Sequence, residues 1–202
     1  KDPRELPSSI IRRLPVRMTY DENYFSDRFQ GIPSEGYTPI FQRLLHGIPV
    51  EMETDFLSDR DDWIKRFDHT IFTGSLDDFF GYSSGTLEYR SMRLESQVVE
   101  VEDYQGVAQM NETDEAVPFT RTVEHKHFTF DYGIPRTLIT REFSESWDLS
   151  KERYYPVETL ENKNLHERYQ SLLAELKLPV TVGGRLGSYR YYDMHQVIGA
   201  AL

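Results

Sequence analysis

The apolar positions of this chain change period along its length. Ile40, Phe41, Leu44 and Leu45 recur at helical spacing behind Thr38 and Pro39, a cap residue and a proline suited to a first turn, and Gly47 ends the run. A helix is therefore predicted over 38–45. A second stripe, Leu165, Tyr169, Leu172, Leu173 and Leu176, predicts a helix over 160–177 that stops before Pro179. Asp193 is a candidate cap for a last helix carrying Val197, Ile198 and Ala201, and Pro7-Ser8-Ser9 into Leu14, closed by Pro15, allows a short first one. Strand-type runs fill much of the rest: 16–20, 50–54, 70–73, Leu87 to about Val101, 106–112, 117–129, 136–144 and 180–182. Gly31, Pro33 and Gly36 mark a polar loop over 21–36. Several strands in succession without helices between them argue against parallel pairing, which needs long crossovers. The predicted fold class is α+β, an antiparallel β-sheet domain with peripheral helices.

Composition narrows the function. A length of 202 residues allows one large domain or slightly more, and 13 Tyr, 12 Phe and 2 Trp supply material for a core. The formal net charge of −11 disfavours a broad nucleic-acid or anionic-membrane surface, although a local basic pocket remains compatible with it. No run reaches the roughly 18 apolar residues of a membrane span. With no Cys there is neither a disulfide framework nor a thiolate nucleophile, which suits a reducing compartment. The chain opens Lys1-Asp2-Pro3 and closes inside an apolar pattern, so it is expected to be a piece of something longer.

Against this acidic background Arg13, within Arg12-Arg13-Leu14-Pro15-Val16-Arg17, and Arg121, within Pro118-Phe119-Thr120-Arg121-Thr122, stand out. Arginine grips phosphate oxygens with a planar charged fork, and two converging arginines would hold a diphosphate; solvated surface arginines are the other reading. His125 and His127, two apart in a predicted strand, would share a face and could offer imidazoles to a metal, but no carboxylate pattern completes a site and no metal is assigned. Tyr154-Tyr155-Pro156 and Tyr189-Arg190-Tyr191-Tyr192-Asp193 concentrate phenols that suit a sugar or flavin edge, or simply packing. Gly183-Gly184-Arg185-Leu186-Gly187 could admit a phosphate to the backbone, but lacks both the P-loop Lys-Ser/Thr and the Rossmann spacing.

Taken in order, these segments resemble the C-terminal half of the prokaryotic-type UDP-galactopyranose mutase family. The matching stretches include Asp2-Pro3-Arg4-Glu5-Leu6-Pro7, Arg13-Leu14-Pro15-Val16-Arg17, Tyr24-Phe25, Gly31-Ile32-Pro33, Gly36-Tyr37-Thr38, Phe72-Thr73-Gly74 and Phe79-Phe80. They continue through Leu87-Glu88-Tyr89-Arg90-Ser91, Asp103-Tyr104-Gln105-Gly106, Arg141-Glu142-Phe143, Tyr154-Tyr155-Pro156 and Gly183 to Gly187, ending at Tyr191-Tyr192-Asp193-Met194. The resemblance implies a cytoplasmic isomerase that interconverts UDP-galactopyranose and UDP-galactofuranose by covalent catalysis through reduced FAD, in service of a cell-wall or surface polysaccharide. It further implies that Arg13 and Arg121 are the catalytic diphosphate arginines. Tyr24, Asn111, Tyr155 and Tyr191 would contact substrate, while Gly184, Arg185, Tyr191, Asp193 and Met194 would lie against the cofactor. On this reading residues 1–182 form a substrate-binding sheet domain with a mobile N-terminal loop, and 183–202 return to a FAD-binding domain. That domain's GxGxxG strand-turn-helix is absent from this sequence, so the fragment of the larger FAD-dependent enzyme is expected to lack both bound FAD and activity. A missing N-terminal FAD-binding segment and a homo-oligomeric copy are the implied partners. The alternative is a non-catalytic sugar-nucleotide or glycan-binding module reusing the same sheet.

Overall fold

The computed structural model of the chain describes residues 18–20 and 27–202. Arg13, Tyr24, the helix expected before Pro15 and the first two residues of the strand expected over 16–20 lie outside the described residues. Residues 18–20 are bends.

The chain divides into two compact units, Lys1–Ile48 and Pro49–Leu202. In the first, α1 (Thr38–Leu44) forms where the spacing predicts it, with its proline at the helix start and Tyr37 rather than Thr38 in the cap position.

The second unit carries the sheet. Its elements are α2 (Arg60–Arg66), β1 (Thr70–Phe72), α3 (Leu76–Phe79), β2 (Tyr89–Val99), β3 (Gln109–Asn111), β4 (Arg121–Glu124), α4 (Lys126–Thr129) and β5 (Thr137–Ser146). They are followed by β6 (Tyr155–Pro156), α5 (Leu160–Leu176), β7 (Val180–Val182), α6 (Gly184–Gly187) and α7 (Met194–Ala201). Five strands pair antiparallel in the order β3-β4-β5-β2-β6, as the succession of strand-type runs predicts. A separate parallel pair, β1 with β7, was not foreseen; its members are far apart in sequence, with the whole sheet and α5 between them.

Three expectations are corrected. Residues 50–54 alternate in polarity but form no ladder, because alternation marks a strand only where another strand pairs with it. The run over 117–129 breaks after Glu124: His125 takes helical torsions and α4 follows, with the Lys126 ammonium donating to the carbonyls of Glu102 and Ile134. His125 and His127 therefore do not share a strand face. The short helices α2, α3 and α6 were missed because four to seven residues complete too little of a helical period to be read.

Two apolar clusters hold this unit. Ile64, Phe72 and Phe79 form one, and Leu87, Tyr89 and Tyr189 form the other, with Trp147, Leu165 and Leu186 packed around it. Beside them the fully buried Asp77 carboxylate accepts from the Ser75 hydroxyl and the Leu87 amide, and Ser75 shares a 2.8 Å hydrogen bond with the Tyr89 hydroxyl. Helix α5 is capped by Thr159 and buries Asn162, His166 and Tyr169, so its inward stripe is more polar than the leucines alone suggest; Leu176 is half exposed.

Candidate functional site

The register of the sheet decides which polar side chains meet. Asn111 on β3 lies opposite Arg121 on β4, Arg121 opposite Glu142 on β5, and Glu142 opposite Leu94 on β2. Directly opposed residues project to the same face, so these four make one row across the sheet. On β2, Arg90 has the same parity as Leu94 and lies opposite Tyr155 on β6, which brings Tyr155 to that face as well.

Contacts along the row are specific. The Arg121 Nε donates to Asn111 Oδ1 at 2.9 Å, and its Nη1 lies 3.5 Å from Glu142 Oε2. Arg121 keeps about a third of its side-chain surface open (36%), whereas Glu142 keeps 16%, so the carboxylate sits behind the guanidinium and leaves part of the fork free. Such a fork, oriented from behind and open in front, is suited to a phosphate oxygen.

The tyrosines form the second half of the cluster. The rings of Tyr155 and Tyr191 stack with centroids 5.0 Å apart and an interplanar angle of 6°. Burial pushes the Tyr155 phenol pKa up, the Tyr191 hydroxyl and the Glu142 carboxylate add to the rise, and Arg185 opposes it. Tyr155 therefore shares the sheet face of Arg121 and Glu142, with β2 between it and Glu142. At neutral pH the Tyr155 hydroxyl is held protonated, as a hydrogen-bond donor.

Tyr191 is held by the segment before it. Tyr189 occupies a left-handed backbone conformation at φ +47°, costly for a bulky residue, and its ring is buried. The surroundings over-determine that conformation. The Tyr189 hydroxyl donates to Glu88 O at 2.6 Å and accepts from the Val157 amide at 3.2 Å, Tyr89 meets the ring edge-on, and His166 stacks on it.

On the side expected to face a cofactor the picture is mixed. Gly184 sits at φ +74°, a left-handed conformation that favours glycine, so the turn itself accounts for the residue. Arg185 donates to backbone carbonyls on both flanks of the tyrosine pair. Asp193 caps α7 in a capping box with Gln196, as its position predicted. Met194 is 60% exposed. The turn α6, four residues long, offers no helix terminus able to hold a dinucleotide pyrophosphate.

His125 and His127 go separate ways. The His125 ring shares a 2.7 Å hydrogen bond with Thr140. The His127 Nε2 lies 3.3 Å from Glu124 and 3.4 Å from Asp103, and these three residues are the cluster of metal-ligand type among the described residues. Their carboxylates already serve the backbone: Glu124 accepts from the Tyr104 and Gln105 amides, and Asp103 accepts from Gly106. Burial would raise the Glu124 pKa, but those amide donors outweigh it and hold the carboxyl below the usual range.

Sequence reasoning missed Glu142, quoted only as part of a matching stretch, and the anchoring role of Tyr189. The first requires the strand register. The second was visible only as one tyrosine in a run of them.

An oriented arginine beside a stacked tyrosine pair on one face of an antiparallel sheet is the arrangement that the family comparisons concern. The chain belongs to the UDP-galactopyranose mutase family, which matches residues 1–191. It is similar, at 39% identity over its whole length, to the dTDP-fucopyranose mutase of Escherichia coli, covering 54% of that protein. The "Probable UDP-galactopyranose mutase" of Klebsiella pneumoniae is also 39% identical across the whole chain, which covers 52% of it. The UDP-galactopyranose mutase of Mycoplasma genitalium is 27% identical over 94% of this chain and 50% of its own length. The chain thus spans about half the length of the curated relatives it matches. A crystal structure of reduced UDP-galactopyranose mutase shares the fold with a TM-score of 0.50 and 17% identity, over 62% of this chain and 37% of that one.

Proposed function

We propose that this chain supplies the diphosphate- and sugar-facing part of a flavin-dependent mutase that interconverts UDP-galactopyranose and UDP-galactofuranose. The observation that carries the reading is the row Asn111, Arg121 and Glu142 with the stacked pair Tyr155 and Tyr191 on one sheet face, built from four strands and a loop of one unit. Ring contraction of a nucleotide sugar requires the anomeric carbon to part from a diphosphate and later regain it. Arg121 is suited to hold that leaving group, with Asn111 fixing its fork and the two phenols donating to remaining oxygens. Arg13 is the proposed second diphosphate arginine and Tyr24 a further substrate contact, on the family's pattern.

Reduced FAD supplies the nucleophile for the anomeric carbon when bound. This chain's Tyr191 and Met194 would meet one edge of the flavin, with Asp193 and Gly184 shaping the loop, and the pyrophosphate would be held outside the chain. The fragment alone is then inactive. A cytoplasmic setting and a homo-oligomeric form belong to the same reading; no helix among the described residues is long and apolar enough to cross a membrane.

A second reading concerns the substrate. The dTDP-fucopyranose mutase is as similar to this chain as the Klebsiella protein is, so a dTDP-6-deoxysugar is the alternative nucleotide sugar. Titration of the isotope-labelled chain with UDP and with dTDP tests both. Amide shifts centred on Asn111, Arg121, Tyr155 and Tyr191 are expected with the true nucleotide, and their absence with both would contradict the site.

A further inference from the structure

The residue that the family pattern puts against the cofactor, Arg185, makes contacts of another kind. Its Nη1 donates to the Tyr154 carbonyl at 3.0 Å, while Nε and Nη2 both donate to the Tyr192 carbonyl, at 3.0 and 2.5 Å. Those carbonyls immediately precede Tyr155 and immediately follow Tyr191. The Arg185 Cζ lies 5.4 Å from the Tyr155 ring centroid and 4.9 Å from that of Tyr191. One guanidinium therefore ties two backbone segments distant in sequence and rests against both rings they carry. Of its five N–H donors, three are directed to these carbonyls.

The base of this rivet is fixed. Arg185 rises from α6, and a Cβ on Gly187 at the far end of that turn would fall 2.5 Å from Val182 Cγ1 and 3.3 Å from the Gly74 carbonyl, so the turn packs without slack onto β7 and the loop after β1. Two further ties join the same segments: the Tyr189 hydroxyl accepts from the Val157 amide at 3.2 Å, and the Tyr191 amide donates to Glu158 Oε1 at 3.3 Å.

We propose that Arg185 is a positioning residue, which aligns Tyr155 and Tyr191 as one stacked pair and acts on the substrate through them. This deepens the proposed function and rests on its assignment of the tyrosines to the nucleotide diphosphate. Lysine cannot replace it, because a single ammonium has no planar fork with which to reach both carbonyls while lying against the rings.

The test joins a ligand-free measurement to a binding cycle on the 202-residue chain. NMR of labelled tyrosines reads the ring-current shifts of Tyr155 and Tyr191 without ligand, and calorimetry reads UDP affinity in wild type, Arg185→Ala, Tyr191→Ala and the double variant. Arg185→Ala is expected to abolish the stacking shifts and weaken UDP about tenfold, with the double variant no weaker than the poorer single one. Arg185→Lys should keep the fold and recover only part of the affinity, which preserves the test if the alanine variant is unstable. Intact stacking shifts in Arg185→Ala or Arg185→Lys, or additive losses in the double variant, would overturn the proposal and make Arg185 a direct ligand contact. If the wild-type chain binds no UDP, the proposed function loses its support, while the ligand-free shifts still decide whether Arg185 aligns the pair.

Discussion

The Nε of Arg121 donates to the Asn111 side-chain oxygen at 2.9 Å across the β3–β4 pair. Asn111 closes the row whose other flank is Glu142, so the guanidinium is steadied from both sides before any ligand arrives. Replacing Arg121 by Ala should remove one charge-assisted contact to the diphosphate, about 1.5–3 kcal/mol, or roughly ten- to over a hundredfold in kcat/KM of the full-length protein. Arg121→Lys should recover little of this, for want of the fork. Steady-state kinetics on both variants check it, and wild-type values in Arg121→Ala would remove the residue from the site.

Tyr155 and Tyr191 offer a cleaner separation of function from packing. Phenylalanine at either position keeps the stack and deletes one hydroxyl, so UDP affinity should fall several-fold while the melting temperature changes little. Calorimetric titration beside a thermal melt decides. A large loss of stability at unchanged affinity would make these rings packing residues.

The sheet and the longer helices were legible because each repeats a period long enough to see. The α5 stripe and the Asp193 cap came directly from spacing and from cap chemistry. Residues 50–54 show the limit, since their alternation is genuine but a strand needs a neighbour, and the neighbour is a tertiary fact. The turn at His125 was hidden similarly: Lys126 finds its partners at Glu102 and Ile134 through backbone carbonyls, which every residue carries. Arg121 and the tyrosines could be nominated from the family pattern, but the strand register that puts Tyr155 on the face of Arg121 and Glu142 is not displayed by the sequence.

His166 gives a pH dependence. Burial lowers its pKa, against the raising effect of its 3.0 Å hydrogen bond with the Gly187 carbonyl, so the folded chain holds the ring neutral where the unfolded chain, titrating near about 6.5, takes up a proton. The stability contributed by the neutral ring is therefore present above about pH 6.5 and is lost as the pH falls toward the lowered value. His166→Gln, which keeps an N–H donor and cannot titrate, should lose less melting temperature than wild type between about pH 7.5 and about pH 5.5. Equal losses would contradict the assignment.

Cofactor affinity is expected to lie outside this chain. The isolated 202-residue protein, incubated with FAD and freed of excess, should show no stoichiometric flavin absorbance, since one ring edge near Met194 cannot offset the cost of fixing so large a ligand. Retained flavin would mean that the chain holds the pyrophosphate as well.

Turnover of UDP-galactofuranose by the full-length protein with reduced FAD, wild type beside Arg121→Ala, decides whether this chain carries the diphosphate face of a nucleotide-sugar mutase, as proposed. Wild type is expected to form UDP-galactopyranose, and the variant to lose at least about tenfold in rate. Absence of conversion by the wild type with both this substrate and its dTDP-fucofuranose counterpart, or equal rates in the two proteins, would contradict the proposal.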